Sequence, residues 1–484
     1  MSISAFCVHG HFYQPPREDP ITGEIPDERG AAPFQNWNQR IHAHCYQPNA
    51  ELGNFERISF DFGPTLLNWM SGYDPITLAK IVAQERQCYR HHGVGNGMAQ
   101  PYFHVILPLL PLYDRKVEIL WGLRAFEHRF GHRAGGLWLP ETAVDEETLR
   151  LCTELGVQYT ILAPWQAADP NPDVTQPYRW KDHQTDRPLV LFFYHADLSS
   201  RVSFDPQATL NAEHFRDFII EAIARGSGEN RLVLVASDGE LYGHHQPFRD
   251  HFLAHLTEKG NERLQRTFLG LWLKDHPPRE EMAIVPATSW SCPHGLGRWS
   301  YGCACTPRSD WKALFWQALR HLGEQLDGLF VQVVGRYLTN PWMLVERYIE
   351  VLMGRVSLSE LFFWLTGETP RARVLCQVDY LLRAQLNKQR MYTSCGWFFD
   401  DFDRPEPQIN VRYAAQAVWW NGLATGVNLF DETLNALAGV RSNSTDLCAA
   451  DVFTAHYARA AQAPFPLFER ALPFHFANIK PSHS

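Results

Sequence analysis

The stretch Leu232–Pro247, LVLVASDGELYGHHQP, carries the reading of the whole chain. Five apolar residues, Leu232–Ala236, have the length and β-branched content of a strand buried on both faces. They run directly into Asp238-Gly239-Glu240 and then His244-His245, so titratable groups begin where the strand stops. A parallel α/β sheet places its chemistry at the carboxyl ends of its strands, and this cluster falls there. Read alone, the cluster suits a metal, a proton-transfer pair or a polar turn.

The same grammar recurs elsewhere. Ile3–Val8 reads as a short buried strand that ends in His9-Gly10-His11, with Gln14 close behind. Gly136–Leu139 ends at Pro140-Glu141. Tyr159–Ala163 and Leu189–Tyr194 are further strands, and Ala283–Val285 continues the series. Between them lie amphipathic helices. The segment 143–156 has acids in its first turn, then Leu149, Cys152 and Leu155, with Gly156 as its stop. The segment 211–225 repeats the pattern through Phe215, Phe218, Ile219, Ala222 and Ile223 before Gly226. Strands alternating with helices predict a parallel α/β core, and periodicity fits a barrel and an open doubly wound sheet equally. From about Pro307 the 3.6-residue period takes over, so the expected organisation is an α/β unit over 1–306 and a helical bundle over 307–484. The stretches 12–50 and 164–188 read as long polar loops facing the substrate.

Composition narrows the partners. Of 484 residues, 44 are Lys or Arg and 53 Asp or Glu, a net charge of −9 with no basic block. That excludes nucleic acid and an anionic membrane surface as partners, because both need a positive footprint. Sixteen tryptophans and seventeen tyrosines offer flat faces for sugar rings, although aromatics fill large cores as well. No apolar run reaches the roughly 18 residues of a membrane span. MSISAFCVHGH has neither a basic leader segment nor a cleavage site, so a cytoplasmic protein is expected. Its ten scattered cysteines are then expected to be reduced. No cofactor is expected, and a homo-oligomer is compatible with the composition.

Two carboxylates from different strands, Glu141 and Asp238, are what glycoside hydrolysis requires: one ionised beside the anomeric carbon, one carrying a proton for the leaving oxygen. Each also has a plainer reading, Glu141 as a first-turn helix acid and Asp238-Gly239 as a turn. His9 and His11 could instead hold zinc, provided the strand continues through Gly10 and keeps both rings on one side. Cys292-Pro-His294 with Cys303-Ala-Cys305 has the composition of a zinc site. Its gaps are tighter than the usual two residues, which favours a packing loop with Trp290 or Trp299 on the sugar, and no metal is assigned. His104 reads as a near-core histidine, and Gly396–Asp403 as either a lid or a core turn.

His9-Gly10-His11-Phe12-Tyr13-Gln14-Pro15 resembles the first signature of glycoside hydrolase family 57. GLWLPE, ending at Glu141, resembles its nucleophile motif, and SDGELYG, with Asp238, its acid/base motif. Gly95–Pro111 and Glu141–Ala167 are similar to two more of its regions, so the resemblance covers roughly residues 1–300 in order. Asn36–Leu52, Thr288–Cys305 and Tyr392–Pro407 resemble a family-57-like subgroup described mainly as a domain of unknown function. The resemblance implies an incomplete (β/α)7 TIM-like barrel, a C-terminal helical domain, and retaining chemistry on α-glucans of the amylase, 4-α-glucanotransferase or branching type. It makes Glu141 the nucleophile and Asp238 the general acid/base. It implies that His9, His11, Gln14, Trp138, His244, Trp290, Arg298 and Trp299 surround the sugar. Glu240 is expected to raise the pKa of Asp238 by like-charge repulsion. One departure stands out: Phe12 and Tyr13 intervene where the family passes straight from the second histidine to Gln-Pro. Two other classes stay open, a zinc-dependent carbohydrate deacetylase on a similar barrel and a catalytically weak glucan-binding protein.

Overall fold

In the computed structural model of the chain, residues 3–181, 188–258 and 264–474 are described. Nine strands occur among them: β1 (Ser4–Phe12), β2 (Ser59–Phe62), β3 (Gly97–Met98), β4 (Tyr159–Leu162), β5 (Tyr178–Lys181), β6 (Pro188–Phe193), β7 (Arg231–Asp238), β8 (Gln265–Arg266) and β9 (Glu280–Glu281). β1 is buried on both faces, as its unbroken apolar run requires, and pairs in parallel with β2 on one side and β7 on the other. The order β7-β1-β2-β3 passes through single parallel bridges, Ala99 to Leu137 and Gly136 to Tyr159, into β4 and then β6. Seven parallel segments thus follow one another in the sense of an incomplete (β/α)7 barrel. The ring is not closed, because β6 and β7 do not pair as strands; a backbone bond from His195 N–H to Leu234 O (2.7 Å) joins the chain there. Cys7, Trp138, Tyr159, Ile161, Phe192 and Leu234 form a buried cluster within it.

Local expectations differ from the outcome in instructive places. The 164–188 stretch contributes β5, antiparallel to β6, and buries Tyr178 and Trp180. Ala283–Val285 is no strand: Ile284 alone is buried and makes one bridge to Ala167. The 12–50 stretch contains helical chain from Trp37 to Glu51, whose middle, His42–Tyr46, is wound as a π-helix. Helix Glu146–Glu154 starts on Asp145, whose carboxylate accepts the Thr148 N–H, and is followed by Gly156 at φ +85°. Helix Ala212–Arg225 also stops at a glycine, but Gly226 is extended (φ −74°). Its lack of a side chain is needed because the Thr175 side chain fills the space a Cβ would take.

The chain divides into two compact units, one of residues 1–14, 27–102 and 122–293, the other of 15–26, 103–121 and 294–484. The second unit is helical, with Ala372–Arg390 and Pro405–Thr425 packed together at its centre. Pro405–Thr425 is buried nearly all round, and its Trp419 stacks on Phe468 (4.8 Å between centroids). Lys388 is fully buried there, with its Nζ 2.7 Å from Asp114 Oδ1 and 2.6 Å from Asp327 Oδ1, so the charge is matched rather than stranded. Gly396–Asp403 is a core turn: Trp397 stacks on Phe315 and Phe402 is buried. No helix among the described residues is long and apolar enough to cross a membrane.

Candidate active site

Strand register builds the first half of the site. His11 lies opposite Asp61 of β2 on one side and Asp238 of β7 on the other, so three strands bring three titratable side chains into one row. β1 continues through Gly10 to Phe12, which keeps His9 and His11 on one face. Both rings stack on Trp138 at centroid distances of 5.0 and 4.9 Å. Asp61 is fully buried and holds both of them: Oδ1 3.0 Å from His9 Nε2, and Oδ2 2.8 Å from His11 Nδ1. His9 Nδ1 is bonded in turn to Ser59 Oγ (3.0 Å). Burial lowers the pKa of His9 in spite of Asp61. Burial also works against a charged His11, but Asp61 first, then Asp238 and Glu240, push it up to about 9. His11 is therefore a fixed positive charge beside Asp238 at neutral pH.

The second half is a strained turn. Glu141 and Thr142 both have left-handed backbones, φ +57° and +47°, a conformation costly for side chains of this kind. Gln166, itself buried, accepts from Thr142 Oγ1 (2.8 Å) and donates to Thr142 O (2.8 Å). The Trp290 N–H bonds Glu141 O (3.0 Å). Trp290 Nε1 (3.0 Å) and Ser291 Oγ (2.6 Å) both donate to Glu141 Oε2, leaving Oε1 to face other partners. Burial raises the pKa of Glu141, Ser291 and Trp290 oppose that, and the charge of Asp238 raises it further. The two carboxylates of the predicted pair thus feel each other.

Asp238 ends β7 with its side chain open to solvent, yet the surrounding protein raises its pKa, an effect offset in part by His11 and His245. The like charge of Asp61 raises it further, and Asp238 and Glu240 also repel each other, an effect that raises Glu240. Glu240 is buried, accepts from Tyr46 Oη (2.7 Å) and the Tyr13 N–H (3.2 Å), and is raised by burial to about 7. The Phe12-Tyr13 insertion has a structural role. Phe12 stacks on Phe62 (4.7 Å) and meets Phe55 and Tyr46 edge-on, with Gly10 and Gly239 leaving room for its ring.

Several expected contacts are redistributed. His9 and Trp138 are fully buried, so they support His11 from behind rather than meet a ligand. Gln14 bonds Tyr46. His244 stacks on His44 (5.8 Å) and lies edge-on to Trp37, and burial lowers its pKa to about 4. Arg298 and Trp299 belong to the second unit. Arg298 packs over Phe398 (4.7 Å), and Trp299, 1% exposed, has no free ring face for a sugar, contrary to expectation. His104 bonds Ser394 in the core (2.7 Å). Trp290 remains half-exposed beside His11. Asp61, Tyr46, Ser291 and the exposed Trp165, whose indole donates to Ser289 O (3.0 Å), were not singled out in the sequence. Asp61 had a signal: Ser59-Phe60-Asp61-Phe62 alternates polar and apolar as a strand does.

Replacing Asp61 tests this arrangement. Because His11 titrates at about 9 when folded against 6.5 when free, its stabilising contribution is complete below pH 6.5 and lost as pH rises through about 9. Asp61→Asn is expected to cost about 3 kcal/mol near neutral pH, and less above pH 9. Urea denaturation across that range checks it, and a pH-independent deficit would contradict the coupling.

A family model described as Glycosyl hydrolase family 57 matches residues 35–281, and one described as a domain of unknown function (DUF3536) matches 308–464. The fold is similar to that of an exo-type maltose-forming amylase from Pyrococcus sp. ST04, with TM-score 0.71 and 15% identity over 94% of this chain and 83% of that one. It is similar also to a GH57-type branching enzyme from Pyrococcus horikoshii, with TM-score 0.62 and 13% identity over 96% of each chain. A third likeness is to a 4-alpha-glucanotransferase from Thermococcus litoralis, with TM-score 0.57 and 15% identity over 87% of this chain and 60% of that one. No curated protein matches the sequence.

Proposed function

The chain belongs to glycosyl hydrolase family 57, and from that premise we propose that it is a retaining enzyme of α-glucans, with Glu141 as nucleophile and Asp238 as general acid/base. The observation that carries the reading is the electrostatic coupling of two carboxylates on separate strand ends, each with a raised pKa and different partners. Donors on Glu141 Oε2 favour its ionised form and aim the free oxygen, as a nucleophile needs. Asp238 has access to water and a pKa raised by its surroundings, which suits a group that gives a proton to the leaving oxygen and later takes one from the acceptor. In the first step the bond from Glu141 oxygen to the anomeric carbon forms as the glycosidic bond breaks. In the second, an acceptor oxygen displaces Glu141 and its proton passes to Asp238.

The amylase, transferase and branching-enzyme structures that this fold resembles carry different outcomes in their names, so the acceptor is the open variable. Trp290 and the exposed ring of Trp165 provide faces for sugars on the acceptor or donor side. The deacetylase alternative gains no support, because both ring nitrogens of His9 are engaged by Ser59 and Asp61. The decisive experiment is incubation with maltoheptaose and amylose, with products sized by chromatography and the first anomer formed read by NMR. Retained α-configuration is expected. An inverted anomer would end the nucleophile assignment, and no conversion of any α-linked glucan would end the substrate reading.

A further inference from the structure

We infer that the loop Cys292–Cys305 is a zinc site formed by three thiolates and one imidazole. The donor atoms of Cys292, His294, Cys303 and Cys305 all lie within 4.8 Å of one another. Zinc binds cysteine sulfur at about 2.3 Å and histidine nitrogen at about 2.0–2.1 Å, so a tetrahedral site has S···S edges of about 3.8 Å and S···N edges of about 3.6 Å. Cys305 Sγ stands 3.5 Å from His294 Nδ1, already at the length of such an edge. Soft thiolates with imidazole in this number are the donor set of structural zinc.

The arrangement is set within one continuous loop. His294, Cys303 and Cys305 fall in the second unit, and Cys292 stands two residues upstream on the same stretch of chain. Gly295 and Gly302 turn the backbone at φ +65° and +86°, conformations that favour glycine. The Gly302 N–H bonds Gly297 O (2.8 Å), the Gly297 N–H bonds His294 O (3.2 Å), and the Thr306 N–H bonds Cys303 O (2.9 Å). The result is a turn that presents one close-spaced donor pair from each end. The short gaps that argue for packing in the sequence are accommodated in this way, since each pair supplies two corners of one tetrahedron. Lys312 is fully buried, donates to Arg298 O (2.9 Å) and Thr306 Oγ1 (3.2 Å), and places a positive charge in the loop. Three thiolates around a divalent ion leave a net negative charge, which that ammonium complements.

The test is elemental analysis of the full chain, expressed without a histidine tag and purified without chelator. About one zinc per chain is expected, with loss of at least nine-tenths of it in the Cys303→Ser, Cys305→Ser double variant. Cobalt added to the chelator-stripped, reduced wild-type chain is expected to saturate at one equivalent, with thiolate-to-metal charge-transfer absorption and a tetrahedral d–d spectrum. That measurement decides the matter if the double variant fails to fold. Absence of zinc together with absence of the cobalt spectrum would overturn the proposal, as would a disulfide between any two of the three cysteines in freshly isolated protein.

Discussion

Glu141→Ala is expected to lose turnover of α-glucans by a factor on the order of 10⁴ or more, because in the proposed mechanism Glu141 supplies the oxygen that forms the covalent intermediate. The loss should appear in kcat far more than in KM, since Trp290 and the row around His11 remain to hold the sugar. Azide gives the diagnostic readout. With an α-glycosyl fluoride the shortened side chain leaves space on the face opposite the leaving group, so azide attack expels fluoride and yields the β-glycosyl azide. The fold should survive, since the bonds that brace the turn run through Thr142 and Gln166 and through the main chain of residue 141. Wild-type rates in this variant would remove Glu141 from the mechanism.

Asp238→Ala should separate the second role from the first. With natural glucans, whose leaving oxygen needs a proton, a fall of roughly 10²–10⁴ in kcat/KM is expected. With an α-glycosyl fluoride the first step should be nearly unaffected, because fluoride departs without that proton. Azide should then attack the glycosyl ester on Glu141 and give the α-glycosyl azide, the opposite anomer from the Glu141 variant. The limb of the pH–rate profile that reports the proton donor should vanish as well. Exchange of the two anomers between the two variants would reverse the assignments.

Much of this is legible in the amino-acid sequence, for definable reasons. Buried parallel strands need continuous apolar runs, and β1, β4, β6 and β7 have them, with His11 and Asp238 at the carboxyl ends of β1 and β7. β3, with two residues, is too short to announce itself, and the four residues of β2, although they alternate, are too few to single out Asp61. The π-wound segment His42–Tyr46 lies in a stretch rich in polar residues, which hid the tyrosine that holds Glu240. Trp299 shows the opposite failure. An aromatic side chain in a polar loop reads as a sugar platform, and only packing reveals that its ring is inside. The Glu141 turn was unreadable in principle, since nothing in Pro-Glu-Thr favours two successive left-handed residues.

That turn has a consequence in time rather than in space. Ser291 and Trp290 stand 150 and 149 residues from Glu141 along the chain, and Gln166 stands 24 from Thr142. Short-range preferences oppose the backbone shape that aims the carboxylate, so only distant segments arriving late can impose it. During refolding, helix content and the recovery of turnover should therefore be separate events, the second waiting on the return of Trp290 and Ser291. A chain caught between them would be substantially structured and chemically silent.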